Sequence, residues 1–405
     1  MSVTRRSASV IVLAALGLGS AIAPALAQAD KPFRIGVVLS RSGVYSQFGT
    51  LLEAALTVGV KDANDQGGIL GRKVELVIRD SNSNPSRSLL AAKELVEEQK
   101  VDYLIPETIS GNTLAILPYT TDKKMVTIST AGAPQVGDIE KYPYSFPLVD
   151  LATKRVPAMA AALKKLGGKK VGVLVGTNPV TVTIGDGLKN NQAKLGIEVV
   201  DYKQFAADVK DLSAQLQGLR DAGADIVAFA GSAKDNLRVV MAGMQTIGWK
   251  AKVVGDPVTL NGDPTEQIPA AVQDQFFDVH YRVVVKTADP SPDRQKFVDE
   301  LKKQGEIQNL GVSALFRDSI LLAKWMFETS QKERGNIDNE SLKATLESLN
   351  GRDYPKSYGL LLGNPKYSPK DHSSENADYS KMWGLVKVSK PVDGIYEGEA
   401  LDVAY

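Results

Sequence analysis

The sequence predicts an α/β fold made of two parallel-sheet units, on three observations. Short β-rich apolar runs alternate with helical periodicities, the pattern of strands covered by helices on both faces. The alternation occurs twice, over residues 33–128 and again over 153–285. The chain has 405 residues, a length that favours more than one domain and suffices for sizeable cores without crosslinks.

The first run, residues 33–39, is a buried-type strand, followed by the loop 40–45. Phe48, Leu51, Leu52, Ala55, Leu56 and Ala63 then recur at helical spacing, and Gln66-Gly67-Gly68 ends that helix with glycine where a left-handed cap is easiest. Residues 74–78 form the next strand. Asn84-Pro85 opens a helix whose face is Leu89, Ala92 and Val96, proline being suited to a first turn. A strand at 101–105, a helix from about Ser110 and a strand at 125–128 complete the first unit.

The second unit begins with a helix over 153–166. Strands are expected at 170–175, 196–200, 225–230, 251–254 and 276–285, with helices at 212–222 and 235–247 between them. Three amphipathic helices follow, at 293–303, 313–333 and 340–349. Strands at 358–362 and 382–388 flank a polar loop that carries His372 as a surface residue.

The N-terminus reads as a cleavable secretory signal. Arg5-Arg6 precede an apolar stretch, Ala8 to Ala23, and Ala25-Leu26-Ala27 offers small residues to a signal peptidase, with the cut after Ala27. Net charge is +1, and −1 without residues 1–27, so no basic stripe points to nucleic acid or a membrane surface. Cysteine is absent and only His280 and His372 are present, which excludes disulfides and thiolate sites and argues against a histidine metal centre.

Open α/β sheets bind ligands beyond the carboxyl ends of their strands. Four loops lie there: 40–48; 107–113, where Ser110 is placed to cap a helix with Gly111 and Asn112 in its first turn; Ser129-Thr130-Ala131-Gly132; and Gly176-Thr177-Asn178, followed by Thr181, Thr183 and Ile184. Free N–H groups and a hydroxyl at a helix start suit a carboxylate. Each loop also has a structural reading, since serine caps helices for stability alone. No phosphate loop, nucleophile elbow or His-Glu-x-x-His is present, so the chain reads as a binder, not an enzyme, and no cofactor is expected.

Ile35-Gly36-Val37-Val38, Ser42-Gly43, Phe48-Gly49 and the block Asn64-Asp65-Gln66-Gly67-Gly68-Ile69-Leu70-Gly71-Arg72, in that order, resemble a type I periplasmic binding protein, more narrowly the branched-chain amino-acid-binding family of ABC importers. The likeness covers the mature chain, the last third only in pattern. It implies two Rossmann-like lobes, residues 28–149 with 283–356 and residues 150–282 with 357–405, joined by three crossings near 148–151, 280–283 and 356–359. It implies a periplasmic, monomeric protein that hands a small ligand to importer permease subunits; signalling to a receptor partner is the alternative.

By resemblance the loops at Ser110 and Ser129 to Gly132 hold the ligand carboxylate, Phe48 lies against its body, and Asp256 falls where an acid grips an ammonium. Ile184 stands where relatives often show tyrosine, and Ser232 with Ala233 where they show aromatics. The carboxylate half of the site is kept and the other half altered, which leaves amino acids, other carboxylic acids, aromatic acids, amides and small polar amine derivatives open as ligands.

Overall fold

The computed structural model describes residues 31–233, 235–286, 292–362, 364–374 and 379–404. The expected signal segment, residues 1–27, lies outside them. Among the described residues, no helix is long and apolar enough to cross a membrane.

The first lobe is built on β1 (Phe33–Leu39), which pairs in parallel with β2 (Val74–Asp80) on one side and β3 (Tyr103–Ile105) on the other. A parallel pair, β4 (Thr127–Ser129) and β5 (Ser145–Pro147), continues beside β3. The run Phe33–Leu39 is apolar on both faces because both are covered: Ile35 and Val37 join the main core, while Val38 packs with Ala91, Leu95 and Ile116. Those last three belong to α2 (Pro85–Lys93), its π-turn continuation Glu94–Glu98, and α3 (Ser110–Asp122). Asn84 caps α2 by accepting from Arg87 N at 3.1 Å, with Pro85 in its first turn as expected.

The opposite face carries α1 (Gln47–Asp65) and the 25-residue α11 (Leu310–Arg334). They are joined by charge as well as apolar packing: buried Arg317 Nε donates to Asp62 Oδ2 at 2.9 Å. The start of α11 reaches the other lobe, where Asn309 caps it through Val312 N and donates to the carbonyls of Pro257 and Leu260.

The second lobe is a seven-stranded sheet in the order β12-β11-β10-β9-β8-β6-β7. β6 (Lys170–Gly176), β7 (Glu198–Phe205), β8 (Ile226–Ala230), β9 (Lys252–Gly255) and β10 (Phe276–Tyr281) run parallel. β11 (Trp383–Lys387) returns antiparallel to β10, and β12 (Gly398–Leu401) antiparallel to β11. Helix α4 (Ala152–Lys165) covers one face, with α5 (Pro179–Asn190) beside it. Of the remaining helices, α6 (Gln192–Leu195) is a single turn, α7 (Ser213–Asp221) and α8 (Asn236–Thr246) cover the other face, α9 (Pro264–Gln267) is a short turn, and α10 (Pro292–Lys302) and α12 (Asn339–Glu347) flank α11 in sequence.

Three expectations are corrected. Residues 358–362 form no strand: a 3₁₀ turn, Lys356–Tyr358, ends in left-handed Gly359, and the N–H groups of Leu361 and Leu362 go to Asp318 Oδ2 on α11 instead of a strand neighbour. The run 276–285 stops being strand at Tyr281, where the chain turns into a 3₁₀ segment, Arg282–Val284. His372 is not a surface residue. It is wholly buried, its ring stacked on Phe146 at 3.9 Å, with ring nitrogens 3.1 Å from Ser145 O and from Glu347 Oε1. Tyr367 Oη donates to Pro147 O nearby. These contacts keep the segment carrying Tyr367 and His372 against the first lobe, so the chain enters the seven-stranded sheet only at Trp383, later than the crossing expected near 356–359.

The conspicuous Gly-Gly-Ile-Leu-Gly-Arg block is structural. Asn64 uses its amide as a false strand, accepting from Val74 N at 2.8 Å and donating to Val74 O at 3.2 Å. Gly67 and Gly68 close α1 with φ of +89° and +77°. Arg72 pairs with Asp102 through both Nη atoms at 2.9 Å. A side chain at Gly67 would meet nothing, whereas one at Gly68 would strike the Arg72 carbonyl. Gly67→Ala should therefore cost about 1 kcal/mol, the left-handed penalty alone, and Gly68→Ala at least about twice that. Urea unfolding of both variants checks the order.

Candidate ligand-binding cleft

The strand ends of the first lobe are gathered by one buried carboxyl. Glu107, just past β3, accepts from Ser40 N at 3.1 Å beyond β1, from Ser81 Oγ at 2.6 Å beyond β2, and from Asn112 Nδ2 at 3.3 Å in α3. Asn112 is thereby fixed as a scaffold residue. Burial pushes the Glu107 carboxyl up to about 7 against these hydrogen bonds.

Helix α3 begins on this support. Its cap position is Ile109, not Ser110, and no side chain caps it. Ser110 is the first helical residue, and its Oγ accepts from Ala133 N at 3.2 Å, which leaves the hydroxyl proton to be given elsewhere. The N–H groups of Asn112 and Thr113 return to Ile109 O, while those of Ser110 and Gly111 lie ahead of any acceptor within the helix. Space beside Gly111 is open.

The second loop lies against this helix start. Thr108 Oγ1 donates to Thr130 O at 3.3 Å. The hydroxyls of Ser129 and Thr130 are buried and have no hydrogen-bond partner among the described residues. Ser129 shares its face of β4 with Thr127, whose register partner is Ser145, so its hydroxyl belongs to a buried row along β4 and β5. Ala131 is fully buried, and Gly132 O accepts from Ala152 N at 2.7 Å where the first crossing turns into α4.

Arg155, which motif reading did not single out, faces Gly132. A Cβ on Gly132 would stand 3.3 Å from Arg155 Nη2 and 3.2 Å from Val180, so glycine there is what lets backbone, guanidinium and α5 meet. Arg155 Nε donates to Asp150 Oδ2 at 2.7 Å and Nη1 to Asp256 Oδ2 at 3.3 Å. Tyr281 Oη donates to Asp150 Oδ1 at 2.6 Å, which links the first crossing to the second. Burial works against the guanidinium's charge, but Asp150, Tyr281 and Asp256 outweigh it and raise its pKa; burial raises Asp150 and Asp256 too, against the pull of Arg155. Asp278, next to Asp256 across the sheet, is driven well above the carboxylate range by burial and that neighbour, and burial pushes His280 down to about 3, so both are neutral.

The other expected residues separate. Phe48 and Ile184 are buried in the hydrophobic core. Ser232 O accepts from Gln47 Nε2 at 2.7 Å, a direct bond between the lobes beside Phe48. Asp256 has an internal partner in Arg155 and accepts from Thr259 Oγ1 at 2.8 Å. Position gave a signal for Arg155: it falls on the buried stripe of α4 with Ala152, Val156, Met159 and Leu163, where a charge is out of place.

A separate cavity of about 460 Å³ opens at the crossings. Leu148, Val149 and Asp150 line it from one crossing, Arg282 and Val283 from the next, and Asp318 from α11. It shares none of the strand-end loops named above.

A family model described as periplasmic binding protein matches residues 32–380. Among curated relatives, the chain is 25% identical over 199 residues to an amino acid binding protein of Pseudomonas aeruginosa, covering 49% of this chain and 53% of that one. The chain spans about half the length of the first such relatives it matches. Among solved structures, it is similar to a solute binding protein of an ABC transporter from R. palustris in complex with 4-hydroxybenzoate, with TM-score 0.74 and 21% identity over 92% of this chain and 97% of that one. It is also similar to a branched-chain amino acid transporter substrate binding protein from Streptococcus pneumoniae in complex with isoleucine, with TM-score 0.73 and 19% identity over 92% of this chain and all of that one. At these identities the structural likeness carries the fold.

Glu107 gives a pH test. The folded state holds its proton more tightly than the unfolded chain, so its contribution to stability is present below pH 4.5 and is lost as pH rises to about 7. Glu107→Gln removes that slope. The free energy of unfolding of the variant relative to the parent should improve by about 3 kcal/mol between pH ~4 and pH ~8, read by urea denaturation at each pH.

Proposed function

The chain belongs to the periplasmic binding protein family, and from that membership we propose that it is the periplasmic solute-binding component of an ABC importer, capturing a small carboxylate-bearing or polar ligand by hinge closure. The observation that supports this reading is a helix start with unengaged N–H groups set against a loop whose glycine faces Arg155 of the second lobe. The start of α3 touches the Gly132 loop through the Ser110–Ala133 bond, Thr130 of that loop has a buried hydroxyl with no partner among the described residues, and the Gln47–Ser232 bond joins the lobes. A helix N-terminus with a free hydroxyl is suited to a carboxylate through both its N–H groups and its dipole.

Hinge closure follows from the two-lobe geometry. A ligand that touches both lobes stabilises the closed arrangement by its differential contacts, here the α3 start on one side and α4 and α5 on the other. The closed form is what permease subunits would recognise. The ligands of the similar proteins, 4-hydroxybenzoate and isoleucine, both carry a carboxylate, which agrees with the half of the site kept here. Secretion through the N-terminal segment, with its Ala25-Leu26-Ala27 site, would deliver the protein to the periplasm.

Small-angle scattering and thermal unfolding of the mature protein test this together. A bound carboxylate should shrink the radius of gyration and raise Tm at the same concentration. Ser110→Ala should weaken binding by about ten-fold, the loss of one charge-assisted hydrogen bond, and should also lower the ligand-free Tm by a few degrees, because the buried Ala133 N–H loses its acceptor. Unchanged affinity in Ser110→Ala would remove Ser110 from the anchor.

A further inference from the structure

We propose that the cleft takes a carboxylate that carries no ammonium group, and that Arg155 is the residue that reads its charge. The inference rests on the solute-binding reading above and narrows it to one chemical class.

The argument is an inventory of donors and acceptors. An ammonium has three N–H donors and needs acceptors. The carboxylates nearest the cleft are already engaged. Asp256 is wholly buried, with Oδ1 accepting from Thr259 Oγ1 at 2.8 Å and Oδ2 facing Arg155 Nη1 at 3.3 Å. Asp150 is equally buried, with Oδ1 taken by Tyr281 Oη at 2.6 Å and Oδ2 by Arg155 Nε at 2.7 Å. A ligand ammonium at either acid would have to displace one of these hydrogen bonds from an oxygen already taken.

What remains unengaged gives hydrogen bonds. Arg155 has five N–H groups. Nε faces Asp150, one Nη1 proton faces Asp256, and one Nη2 proton faces Tyr281 Oη at 3.4 Å, so one proton remains on each Nη. Nη2 is the atom that lies next to Gly132, one residue from the backbone N–H held by Ser110. Ser110 Oγ–H, bonded through its oxygen to Ala133 N, and the buried, unpartnered Thr130 Oγ1 belong to the helix start and loop that meet there. Such a set matches an anion with acceptors only. Burial raises both Asp150 and Asp256 above their ordinary range, against the pull of Arg155.

The test is a matched panel measured by isothermal titration calorimetry on the mature protein. Three carbon skeletons are each offered as carboxylate, amino acid and amide: 3-phenylpropanoate, phenylalanine and 3-phenylpropanamide; 4-methylpentanoate, leucine and 4-methylpentanamide; benzoate, 4-aminomethylbenzoate and benzamide. The expected result is binding of at least one simple carboxylate, with its amino and amide partners weaker by at least about ten-fold. In Arg155→Gln the carboxylate should weaken by at least about ten-fold and its advantage over the amide should vanish, with Arg155→Lys intermediate. The parent protein decides the ligand class without any variant, so a misfolded Arg155→Gln leaves that arm intact. Amino acids binding more tightly than their plain carboxylates would overturn the inference and leave solute capture standing. A carboxylate preference that survives in folded Arg155→Gln would remove Arg155 as the reader. No binding by any compound at millimolar concentration would overturn the inference and the solute-capture reading together.

Discussion

The bond on which the two-lobe arrangement depends is the buried pair Arg155–Asp150, tied to Tyr281. Asp150 lies in the segment that leaves the first lobe, Tyr281 in the segment that returns toward it, and Arg155 in the helix between them. A charged group removed from water is costly unless each polar atom finds a partner. That demand fixes the two crossings relative to each other more tightly than apolar contact would, because removing any one member leaves a buried polar atom of another without its partner. Tyr281 adds shape to this: its ring stacks on Trp383 at 5.8 Å, so the first residue of β11 is set against the same cluster.

The long helix α11 supplies the second constraint. Its body is held by the Arg317–Asp62 pair in the first lobe, and its start is held by the Asn309 bonds to carbonyls of the second. Helix α11 thus joins both lobes, and its first turns pass beside the crossings. The 460 Å³ cavity lies there, between Leu315 and Asp318 of α11 and the crossing residues Leu148 to Asp150. Protein interiors are otherwise close-packed.

The parts of the fold governed by local pattern were legible. Apolar runs such as Phe33–Leu39 and Ile226–Ala230 read as strands because both faces are buried, and Asn84-Pro85 read as a helix start because capping is local chemistry. What was not legible depends on contacts distant in sequence. His372 sits in a polar stretch and reads as solvent-exposed, yet Phe146 and Glu347 bury it from 226 and 25 residues away. The turn after Tyr358 has strand-like composition, but Asp318 takes its N–H groups. The strand-end rule placed the loops past β3 and β4 next to each other, as the Thr108–Thr130 bond has them. The role of Asp256 did not follow from it, because its partner is a residue on a helix about a hundred positions earlier.

That separation bears on how such a site acquires specificity. Asp256 without Arg155 would be a fully buried carboxylate in search of a cation, and Arg155 without Asp256 and Asp150 would be a buried cation in search of an anion. Either alone is destabilising, so the two are retained or lost as a unit. Gly132 enters the same unit, since a side chain there would press on the guanidinium and on Val180. The donor loops around Ser110, by contrast, are held by Glu107 through bonds that involve none of these three residues. The start of α3 and the charges around Arg155 are therefore supported by different buried carboxyls, Glu107 in one case and Asp150 with Asp256 in the other, and they touch through the Ser110–Ala133 bond.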